Sequence, residues 1–313
     1  MNETTQTYGV YQFGNADALT NISQTLSHLD AEDVRIKVIS SSVNPIDVKT
    51  RMGLGFVAKN KAPEAFMALG YDVFGVVESV GKNVSDVQVG QHIIAMAGFA
   101  HSPGCYSTHV HANQSELIVV GAQENPRIAG LCLAGLTAWQ ALQKLMHHKD
   151  KPLFINASTG GVGHLAIQIA KMLDFDVVAL SARASHQLLQ ALDVSVMSYD
   201  TFYDSAQHNC SLLDLVGGEC GLQLLEHIKK GNSVVTVPTL SKDVMCTKAE
   251  SLGINASGIV VSANRADLKA LYSAYQTGEI RVHEDKTFCL DDISGAHSYM
   301  EQGNYCGKII ITA

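Results

Sequence analysis

A short series of glycines near the middle of the chain has the spacing of a phosphate-binding turn. Residues 153–155 are apolar, and 157–163 read Ala-Ser-Thr-Gly-Gly-Val-Gly. In such a turn Gly160 lets backbone N–H groups approach a pyrophosphate, and Gly163 lets the following helix pack closely on the strand. The pattern predicts a strand, a turn and a helix that together bind a dinucleotide.

The residues after the turn complete a strand-helix-strand unit. Against the full Gly-x-Gly-x-x-Gly pattern, Ser158 stands in the first glycine position, so the pattern by itself is incomplete. The next segment is apolar at helical spacing, and 176–180 has the composition of a second buried strand. The helical stripe consists of Ala166, Ile167, Ile169, Ala170 and Leu173. The alternative is an ordinary glycine-rich turn of an α/β protein.

The end of the second strand bears on the choice of coenzyme. An NAD site usually carries Asp or Glu about 20 residues after the glycines, where it binds the ribose 2′-hydroxyl. This chain has Ser181-Ala182-Arg183 at that place. A hydroxyl and a guanidinium suit a 2′-phosphate, which predicts NADPH rather than NADH. Alternatively, Arg183 is a solvated surface charge.

Composition favours a globular protein with a small-molecule ligand. The 313 residues are 46% hydrophobic and 17% charged, with a net charge of −8 and no basic run. This length suits two domains, and the charge argues against nucleic acid or an anionic membrane as a partner. The first residues show no signal-peptide pattern and no apolar run is long enough to span a bilayer, so we expect a cytoplasmic protein.

Cysteine and histidine positions predict no metal site. The seven cysteines are scattered without a Cys-x-x-Cys pair, as expected for reduced thiols. Among 13 histidines, His109 with His111 and His147 with His148 are close in sequence, but no cysteine or carboxylate follows at ligand spacing.

Strand and helix patterns predict an α/β protein in three segments. Residues 1–123 are β-rich, 124–262 alternate strands with helices as a doubly wound parallel sheet does, and 263–313 form a polar helix and a closing strand that could return to the first part. Strands are expected at 34–39, 73–77, 92–95, 212–216, 233–237, 258–261 and 308–311.

A series of short motifs resembles the zinc-independent medium-chain dehydrogenases/reductases of the quinone oxidoreductase (zeta-crystallin-like) type. The matching segments fall in the family's order over nearly the whole chain. They are Val43-Asn44-Pro45-Ile46-Asp47, Gly70-Tyr71-Asp72-Val73-Phe74-Gly75, Gly135-Leu136-Thr137-Ala138-Trp139, the 157–163 turn, Ser198-Tyr199-Asp200, Asp214-Leu215-Val216-Gly217-Gly218 and Gly307-Lys308-Ile309.

The resemblance implies a GroES-like β-barrel domain plus a Rossmann doubly wound parallel-sheet domain, with the active site in the cleft. Zinc-dependent relatives carry a His-Glu pair where this chain has Tyr71-Asp72, and the four-cysteine lobe is absent, so no zinc is expected. The family also implies a homodimer joined through the cofactor domains, with 259–261 as a candidate edge.

Site residues follow from the resemblance position by position. The expected catalytic residues are Asn44, Asp47 and Thr137. The expected cofactor-binding residues are Ser158, Thr159, Gly160, Gly161, Val162, Gly163, Ser181, Arg183, Tyr199, Val237 and Lys308. Several of them have a structural alternative: Asn44 before a proline as a residue that shapes a turn, Thr137 as a helix cap, and Tyr199 as a half-buried ring.

The resemblance implies NADPH-dependent reduction of a quinone or an α,β-unsaturated carbonyl. Some enoyl reductases of the superfamily place a tyrosine soon after the Asn-Pro motif, but Phe56 occupies this region here and cannot donate a proton. The proton source therefore stays open. The alternative functions are an alcohol or aldehyde reductase of the same superfamily and a non-catalytic NADPH-binding redox sensor.

Overall fold

The chain folds into two compact units. A computed structural model describes residues 4–99, 104–182 and 187–313. The first unit consists of Met1–Leu136, Ser262–Ser273 and Val282–Ala313, and the second of Thr137–Val261 and Ala274–Arg281. The chain thus leaves the first unit twice and returns to it twice.

The described residues contain the following strands and helices. The strands are β1 (Thr4–Val10), β2 (Thr20–Thr25), β3 (Asp33–Val43), β4 (Met67–Ala68), β5 (Asp72–Val80), β6 (His92–Met96), β7 (His109–Asn113), β8 (Leu117–Val120), β9 (Leu153–Ile155), β10 (Val177–Leu180), β11 (Ser195–Met197), β12 (Ser211–Asp214), β13 (Ser233–Thr236), β14 (Asn255–Gly258), β15 (Glu284–Cys289) and β16 (Lys308–Thr312). The helices are α1 (Pro45–Arg51), α2 (Gly55–Ala58), α3 (Cys132–Gln143), α4 (Gly163–Met172), α5 (Gln187–Ala191), α6 (Tyr199–Asp204), α7 (Gly218–Glu226), α8 (Lys242–Ser251), α9 (Arg265–Thr277) and α10 (Ile293–Glu301).

The first unit is built on a mainly antiparallel sheet. Its order is β15-β16-β3-β5-β6-β8, and β7 also pairs with β3; a smaller sheet has the order β2-β1-β4. The closing strand β16 runs antiparallel beside β3, with Ile309 opposite Val43. Because alternate side chains of β3 point to opposite faces, one apolar core forms around Val34 and Ile36, and a second forms under α10.

The second unit is a parallel sheet of six strands in the order β11-β10-β9-β12-β13-β14. Numbered within the sheet this order is 3-2-1-4-5-6, which is the Rossmann order, and it reverses between β9 and β12. Residues at the centre of the sheet are fully buried, among them Leu153, Leu212 and Leu213. The predicted doubly wound parallel sheet is confirmed. Ligands of such sheets bind at the carboxyl ends of the strands where the order reverses.

One predicted strand is wrong. We expected 258–261, but the last strand of the sheet is Asn255–Gly258. This strand lies at the edge of the sheet and is only half-buried, so it does not need a continuous apolar run. Ile259 and Val261 are buried just after the strand ends, which is why their apolar character misled the prediction.

None of the helices in the described residues has the length and apolar content needed to cross a membrane.

Candidate active site

The glycine turn connects β9 with α4 at the point where the sheet order reverses. Gly160 N–H donates to the Ala157 carbonyl at 2.9 Å, and His164 N–H donates to the Gly160 carbonyl at 3.1 Å. Ala157 has a φ of +45°, which is unusual for a residue with a side chain. The Ser158 hydroxyl donates to the Leu180 carbonyl at 3.0 Å and ties the turn to the end of β10.

The shape of this turn fits a dinucleotide pyrophosphate. A Cβ at Gly163 would lie 2.2 Å from the Ala157 carbonyl oxygen, so the start of α4 packs against the turn as only glycine allows. A Cβ at Gly160 would meet nothing closer than 3.2 Å. Thr159, Gly160, Gly161 and Val162 are half-buried, and at the two glycines the exposed part is backbone. In the first turn of α4 the N–H groups of His164 and Ala166 already donate to the Gly160 and Val162 carbonyls, and the helix dipole adds partial positive charge at this end.

The predicted 2′-phosphate residues are only partly described by the structure. Ser181 follows β10 and its N–H donates to the Met197 carbonyl at 3.1 Å. Arg183 lies outside the described residues. Tyr199 begins α6, and its phenol accepts a hydrogen bond from the Ala157 N–H. Burial raises the pKa of Tyr199 to about 12, so the phenol stays neutral and is placed directly against the glycine turn.

A buried polar network, which sequence reasoning missed, joins the carboxyl ends of three strands. The fully buried Asp214 accepts from Asn156 Nδ2 at 2.7 Å, from Thr236 Oγ1 at 2.7 Å and from the Gly217 N–H at 2.9 Å. Asn156 Oδ1 accepts in turn from the Leu215 N–H at 2.5 Å. The network fixes the ends of β9, β12 and β13 relative to one another. The available signal was a polar residue at the end of each apolar strand, as the last strand residue in Asp214 and Thr236 and as the next residue in Asn156.

The two residues expected near a nicotinamide lie in the second unit. Val237 follows β13, is half-buried, and its N–H donates to the Asp214 carbonyl at 2.9 Å. Thr137 lies within α3 and is 4% exposed. Thr137 therefore does not cap a helix, since it is in the interior of one.

In the first unit, Asn44 and Lys308 are brought together with Asp72. Lys308 Nζ donates to Asn44 Oδ1 at 2.5 Å and to the Val43 carbonyl at 3.2 Å, and lies 3.7 Å from Asp72 Oδ2. Asn44 Nδ2 donates to Asp72 Oδ2 at 2.8 Å, and the Ser42 hydroxyl donates to the same oxygen. Asn44, Asp72 and Lys308 are all at most 2% exposed.

This network accounts for most of the hydrogen-bonding capacity of its members. The Asn44 amide is oriented on both sides, because its oxygen faces Lys308 and its nitrogen faces Asp72 and the Ser42 carbonyl at 3.3 Å. Asp72 Oδ1 accepts from the Leu133 N–H at 2.7 Å, next to the start of α3. Burial lowers the pKa of Lys308, and the carboxylates of Asp72 and Asp47 oppose that change. The amide of Asn44 is thus held rigidly beside a buried cation.

Asp47 lies one helical turn from Asn44 on α1 and is fully buried. Its Oδ2 accepts from the Asn44 N–H at 2.8 Å and from the Tyr106 hydroxyl at 2.8 Å. Burial raises the pKa of Asp47 to about 7, against the effects of Tyr106 and Asn44. Burial and the neighbouring Asp47 raise the pKa of Tyr106 well above its usual value, so Tyr106 remains a donor. Asp47 can therefore hold or release a proton near neutral pH.

No group of three histidine, cysteine or acidic side chains within residues 4–99, 104–182 and 187–313 is arranged to hold a metal ion.

Comparisons with known proteins agree with this architecture. Residues 30–145 match the sequence family described as alcohol dehydrogenase GroES-like domain, and residues 205–311 match the family described as zinc-binding dehydrogenase. A solved quinone oxidoreductase from Coxiella burnetii is 31% identical, with a TM-score of 0.92 over 99% of this chain and 100% of that chain.

Two curated plant proteins are similar over most of their length. The 2-methylene-furan-3-one reductase of Solanum lycopersicum is 27% identical over 318 residues, which cover 96% of this chain and 76% of that protein. The chloroplastic NADPH-dependent alkenal/one oxidoreductase of Arabidopsis thaliana is 26% identical over 96% of this chain and 77% of that protein.

These matches confirm the predicted fold class, with a GroES-like first unit and a Rossmann-like second unit. They also confirm that the protein is an oxidoreductase enzyme whose family uses a nicotinamide cofactor. The chain belongs to the quinone oxidoreductase family of the medium-chain dehydrogenase/reductase superfamily.

Proposed function

We propose that the protein reduces a quinone or an α,β-unsaturated carbonyl with NADPH, without zinc. The observation that carries the proposal is the glycine turn, which stands at the reversal of a Rossmann-ordered sheet and lacks a carboxylate at 181–182 after β10. The similarity to a quinone oxidoreductase, a 2-methylene-furan-3-one reductase and an alkenal/one oxidoreductase supports the acceptor class. A bound nicotinamide would supply the hydride in this chemistry.

The turn and its neighbours would hold the coenzyme. In this proposal the backbone of Gly160, Gly161, Val162 and Gly163 binds the pyrophosphate, with Ser158 and Thr159 shaping the turn. Ser181, Arg183 and Tyr199 bind the 2′-phosphate end, and Thr137 and Val237 lie against the nicotinamide. The Tyr199 phenol, bonded to Ala157 N–H, supports this assignment because it sits on the turn itself.

Asn44 and Asp47 act in this proposal by orientation and proton storage. Lys308 withdraws electron density from the Asn44 oxygen at 2.5 Å, which makes the amide N–H groups stronger donors. Asp47 holds the Asn44 N–H at 2.8 Å and so fixes the start of α1. Lys308 is 2% exposed, and its influence on a bound cofactor would be electrostatic through this network.

Zinc is not part of the proposed chemistry. Asp72, which follows Tyr71 at the place of the family's metal-binding pair, already accepts from Ser42, Asn44 and the Leu133 N–H. A carboxylate with these partners and a nearby Lys308 ammonium is poorly suited to bind a divalent cation. Activity that survives prolonged treatment with a zinc chelator would support this part of the proposal, and activity restored only by added zinc would overturn it.

The proposed reaction is tested by following NADPH oxidation with a panel of quinones and enones, and with aldehydes as the contrasting class. We expect turnover with a quinone or an enone and little with aldehydes. Preferential reduction of aldehydes would favour the alcohol or aldehyde reductase. Tight NADPH binding with no turnover on any acceptor would favour the redox sensor.

We also propose a homodimer joined through the sheet of the second unit. β14 has one sheet partner, β13, among the described strands, so its other edge is available for pairing with a second copy. Val260, two residues after this strand, is 52% exposed. Asn255 and Ile259 donate their N–H groups inward to β13, so in this parallel pairing the Ala256 N–H faces the free edge. Light scattering should give twice the monomer mass, and Ala256→Pro, which removes that outward donor, should shift the mass toward the monomer. A monomeric wild type contradicts the dimer.

A further inference from the structure

Several fully buried polar atoms between α1 and α10 have no hydrogen-bond partner among the described residues. They are Nε and Nη1 of Arg51, both ring nitrogens of His297, Oδ1 of Asp47 and Oγ1 of Thr50. Each of these four side chains belongs to a residue that is at most 1% exposed. Such groups are rare in folded proteins, because an unpaired buried polar group costs about 1–3 kcal/mol.

The four side chains form one cluster. Asp47, Thr50 and Arg51 share one face of α1, since they are three and four residues apart. Arg51 Nη2 lies 2.8 Å from Glu301 of α10. The ring of His297 packs edge-on against Tyr106 with centroids 5.6 Å apart, and Tyr106 donates to Asp47.

The surroundings of the cluster cannot satisfy these atoms. Val48, Ile293, Ala296 and Met300 pack around α1 and α10 as part of an apolar core. Burial, together with the Arg51 charge, lowers the pKa of His297 to about 3, so the ring is neutral and offers one donor and one acceptor. The cluster therefore needs both donors and acceptors from elsewhere.

We propose that Asp47 Oδ1, Thr50, Arg51 and His297 line an internal site that holds about two ordered water molecules and connects Asp47 with solvent beside Glu301. Six unpartnered atoms, at about three hydrogen bonds for each buried water, set that number. The Glu301 side chain is 32% exposed and borders a surface cavity of about 320 Å³, which provides the outlet.

Charge and chemistry favour water over a bound anion. Arg51 is already neutralised by Glu301 at 2.8 Å, and Asp47 adds a negative charge whenever it is ionised. A buried anion would then lack a counter-charge. A water molecule can donate to His297 or Asp47 and accept from Arg51 or Thr50, whereas an anion can only accept.

The site gives Asp47 a path for proton exchange that leaves its other oxygen engaged. Oδ2 is held by Tyr106 and the Asn44 N–H, whereas Oδ1 faces the proposed waters. The ionisable groups that influence Asp47 from the elements around it are Tyr71, Asp72, Cys105, Tyr106 and Lys308. Of these, Tyr106 alone donates a side-chain hydrogen bond to Asp47.

A crystal structure of the wild-type protein at a resolution that shows ordered water tests the site directly, with a second crystal soaked in bromide. We expect density for about two waters within hydrogen-bond distance of Arg51 Nε and a His297 ring nitrogen, and no anomalous bromide signal there. An empty space, a bromide peak, or direct pairing of these atoms with other protein atoms would each overturn the proposal.

The connection to solvent is tested in solution by infrared spectroscopy. The carboxylic acid band of Asp47 is identified by its loss in Asp47→Asn at mildly acid pH. On transfer to D2O we expect this band to shift within the mixing time, because waters reach Oδ1. A band that shifts only as slowly as the core amides exchange would overturn the connection; the reference is hydrogen exchange of the Val38 N–H in β3, which donates to the Thr108 carbonyl at 2.9 Å.

Discussion

Two glycines of the same turn should respond differently to alanine, one by losing stability and the other by losing coenzyme affinity. A methyl group at Gly163 would lie 2.2 Å from the Ala157 carbonyl oxygen and 2.8 Å from the Ser158 Cα. A methyl group at Gly160 would have its nearest contact, the same carbonyl oxygen, at 3.2 Å. Gly163→Ala therefore tests packing within the protein, and Gly160→Ala tests the space that the backbone leaves for a pyrophosphate.

The expected magnitudes follow from these distances. At Gly163 the turn must retreat by nearly 1 Å, and overpacking of this kind costs about 1–3 kcal/mol. The higher helix propensity of alanine offsets up to about 1 kcal/mol of that cost. We expect the free energy of unfolding to fall by about 1–2 kcal/mol in Gly163→Ala, and to change by less than about 0.5 kcal/mol in Gly160→Ala.

Coenzyme affinity should separate the two variants further. In Gly160→Ala we expect NADPH affinity to fall at least about tenfold, equivalent to about 1.4 kcal/mol, because the methyl group occupies the approach to the backbone N–H groups. Urea unfolding without coenzyme measures stability, and fluorescence titration measures affinity. Gly14→Ala is the matched control, since its Cβ would also have its nearest contact at 3.2 Å but lies in the first unit.

Wild-type NADPH affinity in Gly160→Ala would refute the assignment of the turn as the pyrophosphate site. Wild-type stability in Gly163→Ala would refute the close packing of α4 on the turn. A loss of affinity in Gly14→Ala would show that the titration reports general damage instead.

Three further predictions concern the buried networks. Asp214→Ala should lower the free energy of unfolding by about 3–5 kcal/mol, because four donors, the Val216 N–H among them, lose their acceptor. Thr236→Val removes one of these donors and should lower the free energy of unfolding by about 1–2 kcal/mol; equal losses in urea unfolding would contradict the network. Lys308→Met should lower the free energy of unfolding by about 3–5 kcal/mol, because Asp72 is left buried without its cation. Adding Asp72→Asn should recover part of that loss, and a double variant less stable than Lys308→Met would count against the pairing. Between pH about 4 and about 6.5, Asp47 with its raised pKa binds a proton in the folded state only, so its contribution to stability falls as the pH rises. His297 with its lowered pKa binds a proton in the unfolded state only, so its contribution to stability increases as the pH rises. As the pH rises through this range, the free energy of unfolding of Asp47→Asn should therefore increase relative to wild type by about 1.4 kcal/mol per pH unit, and that of His297→Asn should decrease by a similar amount. Urea unfolding profiles that run parallel to the wild-type profile would contradict both pKa shifts.

The sequence predicted the elements whose residues depend on local pattern. The bounds of β9 agree with the apolar run that precedes the glycines, and the order of strands and helices gave the parallel sheet. β14 was misplaced because an edge strand is half-buried, so its polar residues Asn255 and Ser257 are compatible with a strand that carries no apolar signature.

The partners of the polar residues could not be predicted, because they are far apart along the chain. Asn44 was singled out from its motif, but Lys308, which orients its amide, lies 264 positions later. Asp214 meets Asn156 across 58 positions. The unpaired atoms of Arg51 and His297 carry no sequence signal at all, since each residue alone resembles an ordinary surface charge or a core ring.

Titration calorimetry of the wild-type protein with NADPH and with NADH, repeated on Arg183→Glu, measures both the dinucleotide site and its choice of coenzyme. We expect the wild type to bind NADPH with clear preference over NADH, and Arg183→Glu to show a reduced or reversed preference. Absence of binding heat with either coenzyme would contradict the dinucleotide site, and an unchanged preference in Arg183→Glu would contradict the assignment of NADPH through that residue.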